Sequence, residues 1–340
     1  MPYNATWTDG DTSGALLPAT HTVRFAHVQE LVEAVNRRRG LVYQPAADFS
    51  SLAAAGGRVR RAILDGSGTP AGLRDNIRQT ILQPATGVLA TYPPTPIAMQ
   101  WLWPLAGGDE NMVIVAANPQ SGQVSLFEHL NGTADWTDAN PSPNPPVRAV
   151  HFNELRRVVE LLRRGRWLVP VCQAGGIFSV LPDTPWMGGI VGRSGSDEIR
   201  ALGFVLLRDG PLGLQDVTVR ATTSLQITTD AACEIEVRHC LRPLNSINNL
   251  PTWRRYDPDA DQAWTFAGGT GSDDSTALGT IALPASTRTS FSTASLMTAV
   301  QEMIDGSAMN FLFRRVDSGP QTVALTAELS VEFDLDAPPN

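Results

Sequence analysis

The sequence predicts an α+β protein, with helical and small mixed modules in its N-terminal half followed by an antiparallel β-sandwich. Three observations predict it. One helical phrase is written twice, as VRFAHVQELVEAVNRRR from Val23 and as VRAVHFNELRRVVELLRR from Val147. From about residue 198 onward the hydrophobic pattern changes to period two, the mark of strands with one buried face. Gly and Pro, 29 and 25 of the 340 residues, are frequent enough to punctuate many short elements.

Each copy of the helical phrase follows the same tripeptide, Trp7-Thr8-Asp9 and Trp136-Thr137-Asp138. Arg24 matches Arg148, His27 matches His151, Glu30 matches Glu154, Leu31 matches Leu155, Val35 matches Val159 and Arg39 matches Arg163. Two matched blocks in the same order mark an internal duplication. Residues 1–45 therefore form a first Trp-Thr-Asp arm and helix. Residues 46–134 follow as a helical segment, FSSLAAAGGRVRRAILDG and TPAGLRDNIRQTILQ, the second opening with Pro70 in its first turn. A small hairpin, NMVIVAA and QVSLFEHL around the turn NPQSG, closes that unit. Residues 135–197 hold the second repeat helix and PDTPWMGGIVGRSGSD, which reads as a linker or ordered loop.

Residues 198–340 read as the sandwich. In TVALTAELSVEFDL, Val323, Leu325, Ala327, Leu329, Val331, Phe333 and Leu335 share one face, and Thr326, Glu328, Ser330, Glu332 and Asp334 take the wet one. GFVLLRD, LQDVTVRAT, SLQITTD, CEIEVRHC, AWTFAGG, GTIALP and NFLFRRV supply further short strands at sandwich spacing. One helix, SLMTAVQEMIDG, interrupts them and stops at Gly306. An antiparallel sandwich of jelly-roll type results.

The repeated helix carries an apolar seam: Val28, Leu31 and Val35 in the first copy, and Phe152, Leu155, Val159 and Leu162 in the second. The first seam ends at Arg38. Two packings satisfy such a seam, the core of its own domain or a short bundle between copies of the chain. The prediction places these seven residues at an oligomer interface. The arginines at 37–39 and at 163, 164 and 166 are expected at helix C-termini, where they complement the dipole. His27 with Glu30, and His151 with Glu154, are expected to be surface pairs one helical turn apart.

The Trp-x-Asp segment and the A-x-H-x-x-E-L-R helix, over residues 7–40 and 136–166, resemble modules near the start of phage tail-fibre and other virion appendage proteins. Similar Trp-Thr-Asp helix repeats occur in bacterial cell-surface proteins. The C-terminal half, with LPTWRRYDPDADQAWTFAGG and SLMTAVQEMIDGSAMNFLFRR, is similar to the DNRLRE-type jelly roll of surface and fibre proteins, without the usual asparagines after the tryptophan. The resemblance implies a bacteriophage virion structural protein, a tail fibre or other appendage. It implies a homotrimer bundled on its short helices, with other virion proteins as partners and a host surface glycan as a third. The alternative it leaves is a cell-surface carbohydrate-binding or adhesion module.

Composition limits the rest. A net charge of −8 argues against a nucleic-acid partner, since phosphate neutralisation needs a basic face. No apolar run approaches the roughly 20 residues of a membrane span. MPYNATWTDGD shows no basic or apolar leader, so the expectation is synthesis in the host cytoplasm without a signal peptide and residence in the virion. All basic residues are arginine, which excludes lysine chemistry. Cys172, Cys233 and Cys240 are too few for a disulfide framework, and Cys233 and Cys240 fall on opposite faces of one strand. Asp257, Asp259 and Asp261 alternate like a calcium loop but lack its glycine, and Asp273 and Asp274 read as a second solvated acidic turn. GRSGS lacks the last glycine of a nucleophile elbow. In WLW, Trp101 and Trp103 alternate, which hints at one exposed ring. The expectation is no enzyme activity, no catalytic residues, no metal and no cofactor, with the ligand-binding residues unknown.

Overall fold

The computed structural model describes residues 7–9, 22–41, 44–50, 59, 62–65, 72–82, 87–89, 95–103, 112–114, 147–162, 164–184, 189–194, 196–205, 217–242, 251–304, 309–319 and 321–335. Its helices are α1 (Phe25–Leu41), α2 (Ala62–Asp65), α3 (Leu73–Leu82), α4 (Ala149–Leu161) and α5 (Ala294–Ile304). The first strands are β1 (Gly87–Leu89), β2 (Thr95–Trp103), β3 (Met112–Ile114), β4 (Arg164–Pro170), β5 (Cys172–Phe178) and β6 (Ile190–Ser194). Then come β7 (Asp197–Val205), β8 (Val217–Val219), β9 (Ser224–Thr229), β10 (Cys233–Cys240), β11 (Arg255–Asp257) and β12 (Gln262–Ala263). The last are β13 (Ser275–Leu283), β14 (Thr289–Phe291), β15 (Met309–Arg315) and β16 (Thr322–Leu335).

Both repeat helices begin with the same cap. The Arg24 N–H donates to His27 Nδ1 at 3.0 Å, and the Arg148 N–H donates to His151 Nδ1 at 3.1 Å. A side chain at the third helical position thus turns back to the N-cap amide, the role a Glu or Gln takes in a capping box. This cap accounts for Arg-x-x-His recurring at both helix starts. The apolar seams then turn inward: Val28, Leu31, Val35, Phe152, Leu155, Val159 and Leu162 are all at most 1% exposed within the single chain.

The strands are antiparallel and build a nearly closed sandwich with a few helices against it. One layer runs β2-β4-β16-β9-β14, with β8 also on β16. The other runs β7-β15-β10-β13, with β5 and β6 on β7. Among eight of these strands the pairing is nested. β4 pairs with β16, β7 with β15, β9 with β14 and β10 with β13, so the first pairs with the last and each inner pair follows. β16 joins the layers, because its start pairs with β6 and its remainder with β9 and β4.

Alternation decides what faces inward. Trp167, Val169, Leu225, Ile227, Leu329, Val331 and Phe333 of one layer share a core with Val205, Ile235, Val237, Phe311 and Phe313 of the other. Trp167 stacks on Phe333 at 4.0 Å between centroids. Its indole N–H donates to Leu41 O at the end of α1, and that of Trp101 donates to Thr80 O in α3. A buried indole N–H left unpaired would cost about 1–3 kcal/mol, so these bonds let two large aromatics join helices to sheet. Of the two rings in WLW, that of Trp101 is buried, and the side chain of Trp103 lies outside the described residues.

Several expectations change. The boundary at 197/198 cuts through the sheet, since β4, β5 and β6 precede it and pair with β16 and β7. The supposed linker at 182–197 contains β6. AWTFAGG is mostly turn rather than strand, because Gly268 and Gly269 take φ of +84° and +74°. Any side chain at Gly268 would also collide with the guanidinium of Arg200. Cys233 and Cys240 do lie on opposite faces, in the main core and in a second cluster with Leu202, Trp264 and Leu312. The strand QVSLFEHL and the tripeptide Trp136-Thr137-Asp138 lie outside the described residues.

Candidate functional site

The structure shows what the first Trp-Thr-Asp is for. Thr8 and Asp9 form a turn, with Asp9 at φ +57°, that lies against the start of α1. The Thr8 N–H donates to Glu30 Oε1 at 3.0 Å, and the Thr8 hydroxyl bonds the same oxygen. Asp9 pairs with Arg24 and sits 3.0 Å from His27 Nε2. Since His27 Nδ1 accepts the cap bond, its neutral ring carries the proton on Nε2 and donates it to Asp9. Burial is the largest influence on His27 and lowers its pKa, outweighing the pull of Asp9. The second copy then braces the first: Arg156 Nη2 donates to Thr8 O at 2.9 Å, pairs with Glu30 Oε2 at 3.1 Å, and its guanidinium lies 4.9 Å from the Trp7 ring centroid.

The expected surface roles on these helices are therefore overturned. His27 and His151 are wholly buried, and Glu154 pairs with Arg74 of α3 at 3.4 Å. Arg38 does not end the seam at solvent. It is buried, and it donates through Nε to Val159 O at 2.8 Å and through Nη1 to Ala34 O at 2.9 Å, tying α1 to α4. Arg39 donates to Pro45 O and to Asn76 Oδ1, both at 2.8 Å. Arg164 and Arg166 lie on β4, not at a helix end, and pair across strands with Asp334 and Glu332. The seven seam residues lie inside the chain, so the expected interface through them is corrected to an intramolecular core. An apolar helix face is covered by the nearest complementary face, and here that face belongs to the same chain.

The acidic loops are used for folding. Asp274 is fully buried and accepts the N–H groups of Thr265 and Phe266 at 2.9 and 2.8 Å, with Arg242 at 3.1 Å. Burial alone would raise its pKa, but these donors together hold it below the usual carboxylate range. Asp257 accepts the Ala260 N–H, and Asp261 pairs with Arg255. Around this excursion Trp253 lies under Arg200 and Tyr256 under Arg242, while Phe266 and Leu241 stay exposed.

Among the described residues, a concavity lies on the outer face of β4, β16 and β9. It is an open groove of about 530 Å³, lined by Arg166, Leu168, Thr222, Ser224, Gln226, Arg288, Ser330 and Glu332. Register sets this lining. Leu168, Ser330 and Ser224 form one row across three strands, and Arg166 pairs with Glu332 in the next. Gln226 faces Glu328 on one side and Ser290 on the other. Glu332 is engaged at both oxygens, by Arg166 Nε at 3.0 Å and by the Thr222 hydroxyl. Gln226 Nε2 donates to Ser224 Oγ at 2.8 Å and to Ser290 Oγ at 3.1 Å. Arg288 pairs with Glu328 at the open side. The wet face read from the sequence is thus only partly wet, since Ser330 and Glu332 are buried by their neighbours.

Sequence reasoning placed Ser330 and Glu332 on the correct face, but it could not assemble them with Arg166, Thr222 and Arg288. Arg166 lies on β4, Thr222 in the turn before β9 and Arg288 just before β14, far apart in the chain, and the arginines of β4 read in the sequence as a helix end. No protein-family model matches the sequence, and no curated protein matches it.

Proposed function

We propose that the chain is a non-catalytic structural and recognition protein of a bacteriophage virion appendage, whose sandwich is of jelly-roll type and presents its groove to a host surface glycan. The groove carries the reading. It combines hydroxyls, a side-chain amide, two guanidinium groups and one apolar floor residue, Leu168, on a sheet face stiffened by three strands. Sugars need that combination of many hydrogen-bonding groups around a small apolar contact. Its carboxylate, Glu332, is already bonded at both oxygens, which suits orientation of neighbours more than proton transfer.

The jelly-roll assignment is supported by the nested pairing of eight strands and by their order, first-eighth-third-sixth in one layer and second-seventh-fourth-fifth in the other. The appendage assignment is supported by the resemblance of the Trp-Thr-Asp helix phrase. A homo-oligomer in this class would assemble through a surface other than the repeat seam.

The test is a glycan-array screen of the intact chain beside Ser330→Trp, which fills the groove. Binding lost in a folded Ser330→Trp protein is the expected result. Binding that survives the substitution, or a folded wild-type chain that binds no surface glycan, would overturn the reading. Mass spectrometry of purified particles against cell envelopes separates a virion protein from a cell-surface adhesion module.

A further inference from the structure

The geometry points to a carboxylate-bearing saccharide as the ligand, anchored on Arg288; this inference rests on the glycan-binding reading of the groove. Of the two guanidinium groups in the lining, Arg166 is committed, giving both Nε and Nη2 to Glu332. Arg288 is different. Its Nη2 pairs with Glu328, and among the described residues Nε and Nη1 bond no partner. Its side chain is 57% exposed at the groove edge, and Glu328 is 32% exposed. An exposed ion pair of this kind is weak and exchanges readily. The Glu328 carboxylate therefore marks where a ligand carboxylate would sit, and the planar fork suits that group.

The other uncommitted groups match the rest of a sugar. Ser330 Oγ and Gln226 Oε1 bond no protein partner among the described residues, and Ser224 keeps its hydroxyl proton while accepting from Gln226. The row from Leu168 through Ser330 to Ser224 spans about 10 Å at ordinary strand spacing, so several ring hydroxyls can be met at once. Leu168 offers an apolar contact for the ring's C–H face. The chain's net charge of −8 opposes anions at long range. At about 0.15 M salt that field is screened beyond roughly 8 Å, so the local guanidinium decides.

The experiment titrates the full chain with oligosaccharides ending in a uronic acid, with the same sugars after reduction of the carboxyl to hydroxymethyl, and with neutral oligosaccharides. The acidic form is expected to bind about tenfold more tightly than its reduced counterpart, as one charge-assisted contact would give. Arg288→Ala should abolish that preference, so that the acidic and reduced forms bind alike. Glu328→Gln, which removes the competing carboxylate, should tighten the acidic sugar alone. Equal binding of acidic and reduced forms, or a preference that survives Arg288→Ala, overturns the inference and leaves the glycan reading standing. Binding of none of the sugars overturns both.

Discussion

Leu155→Ala asks what the repeated helix does. Leu155 is 0% exposed in the single chain and shares one core with Leu31, Val35, Phe152 and Val159. Truncating a leucine there removes its transfer free energy and leaves a cavity, a cost of about 2–5 kcal/mol. For a cooperative unit this long, each kcal/mol moves the melting temperature by roughly 2 °C, so a drop of about 4–10 °C is expected. Leu31→Ala should cost a similar amount, because Arg38 is buried beside α4 and does not open that end of the seam. Calorimetry reads the stability, and light scattering at matched concentration reads the mass. The mass should be unchanged in both variants. If Leu155→Ala splits an oligomer while the separated chain melts as before, the seam joins chains and the intramolecular assignment fails.

The arm latch gives a coupled pair: Glu30→Gln, Arg156→Ala and their double variant should show an interaction energy of about 1 kcal/mol or more in urea unfolding, whereas additive singles would remove the latch. A 164–340 fragment contains all eight nested strands and should be more resistant to proteolysis than 198–340, which lacks β4; equal behaviour would show that β4 is dispensable. Burial holds His27 below its ordinary value of 6.5, so the unfolded chain takes up that proton first. Stability is then fully present above 6.5 and falls as pH drops below it toward the lowered folded value, and His27→Gln should make that slope shallower on the acid side of 6.5 in equilibrium unfolding. An unchanged slope would assign it to other groups.

What could be read from the sequence followed from short-range rules. Period two in TVALTAELSVEFDL places β16 over Thr322–Leu335, and the repeat places α1 and α4. The parity of Cys233 and Cys240 alone puts them on opposite faces. β4 was hidden because its arginines read as a helix end, although RGRWLVP alternates in burial along its whole length. β5 was hidden by its glycines, and the aromatic excursion looked like strand until the two positive φ angles turned it.

The sequence by itself determined the secondary periods, the duplication, the absence of lysine and the acidic balance. Each is a property of composition or of neighbours a few residues apart. Only the tertiary structure decided which surface covers the apolar seam, since a hydrophobic stripe specifies that it be buried and not by whom. It alone joined Thr8 to Arg156, and Arg166 to Glu332. Such pairs are set by strand register and helix packing across the chain, and a carboxylate read from one strand becomes part of a groove only when its neighbours arrive.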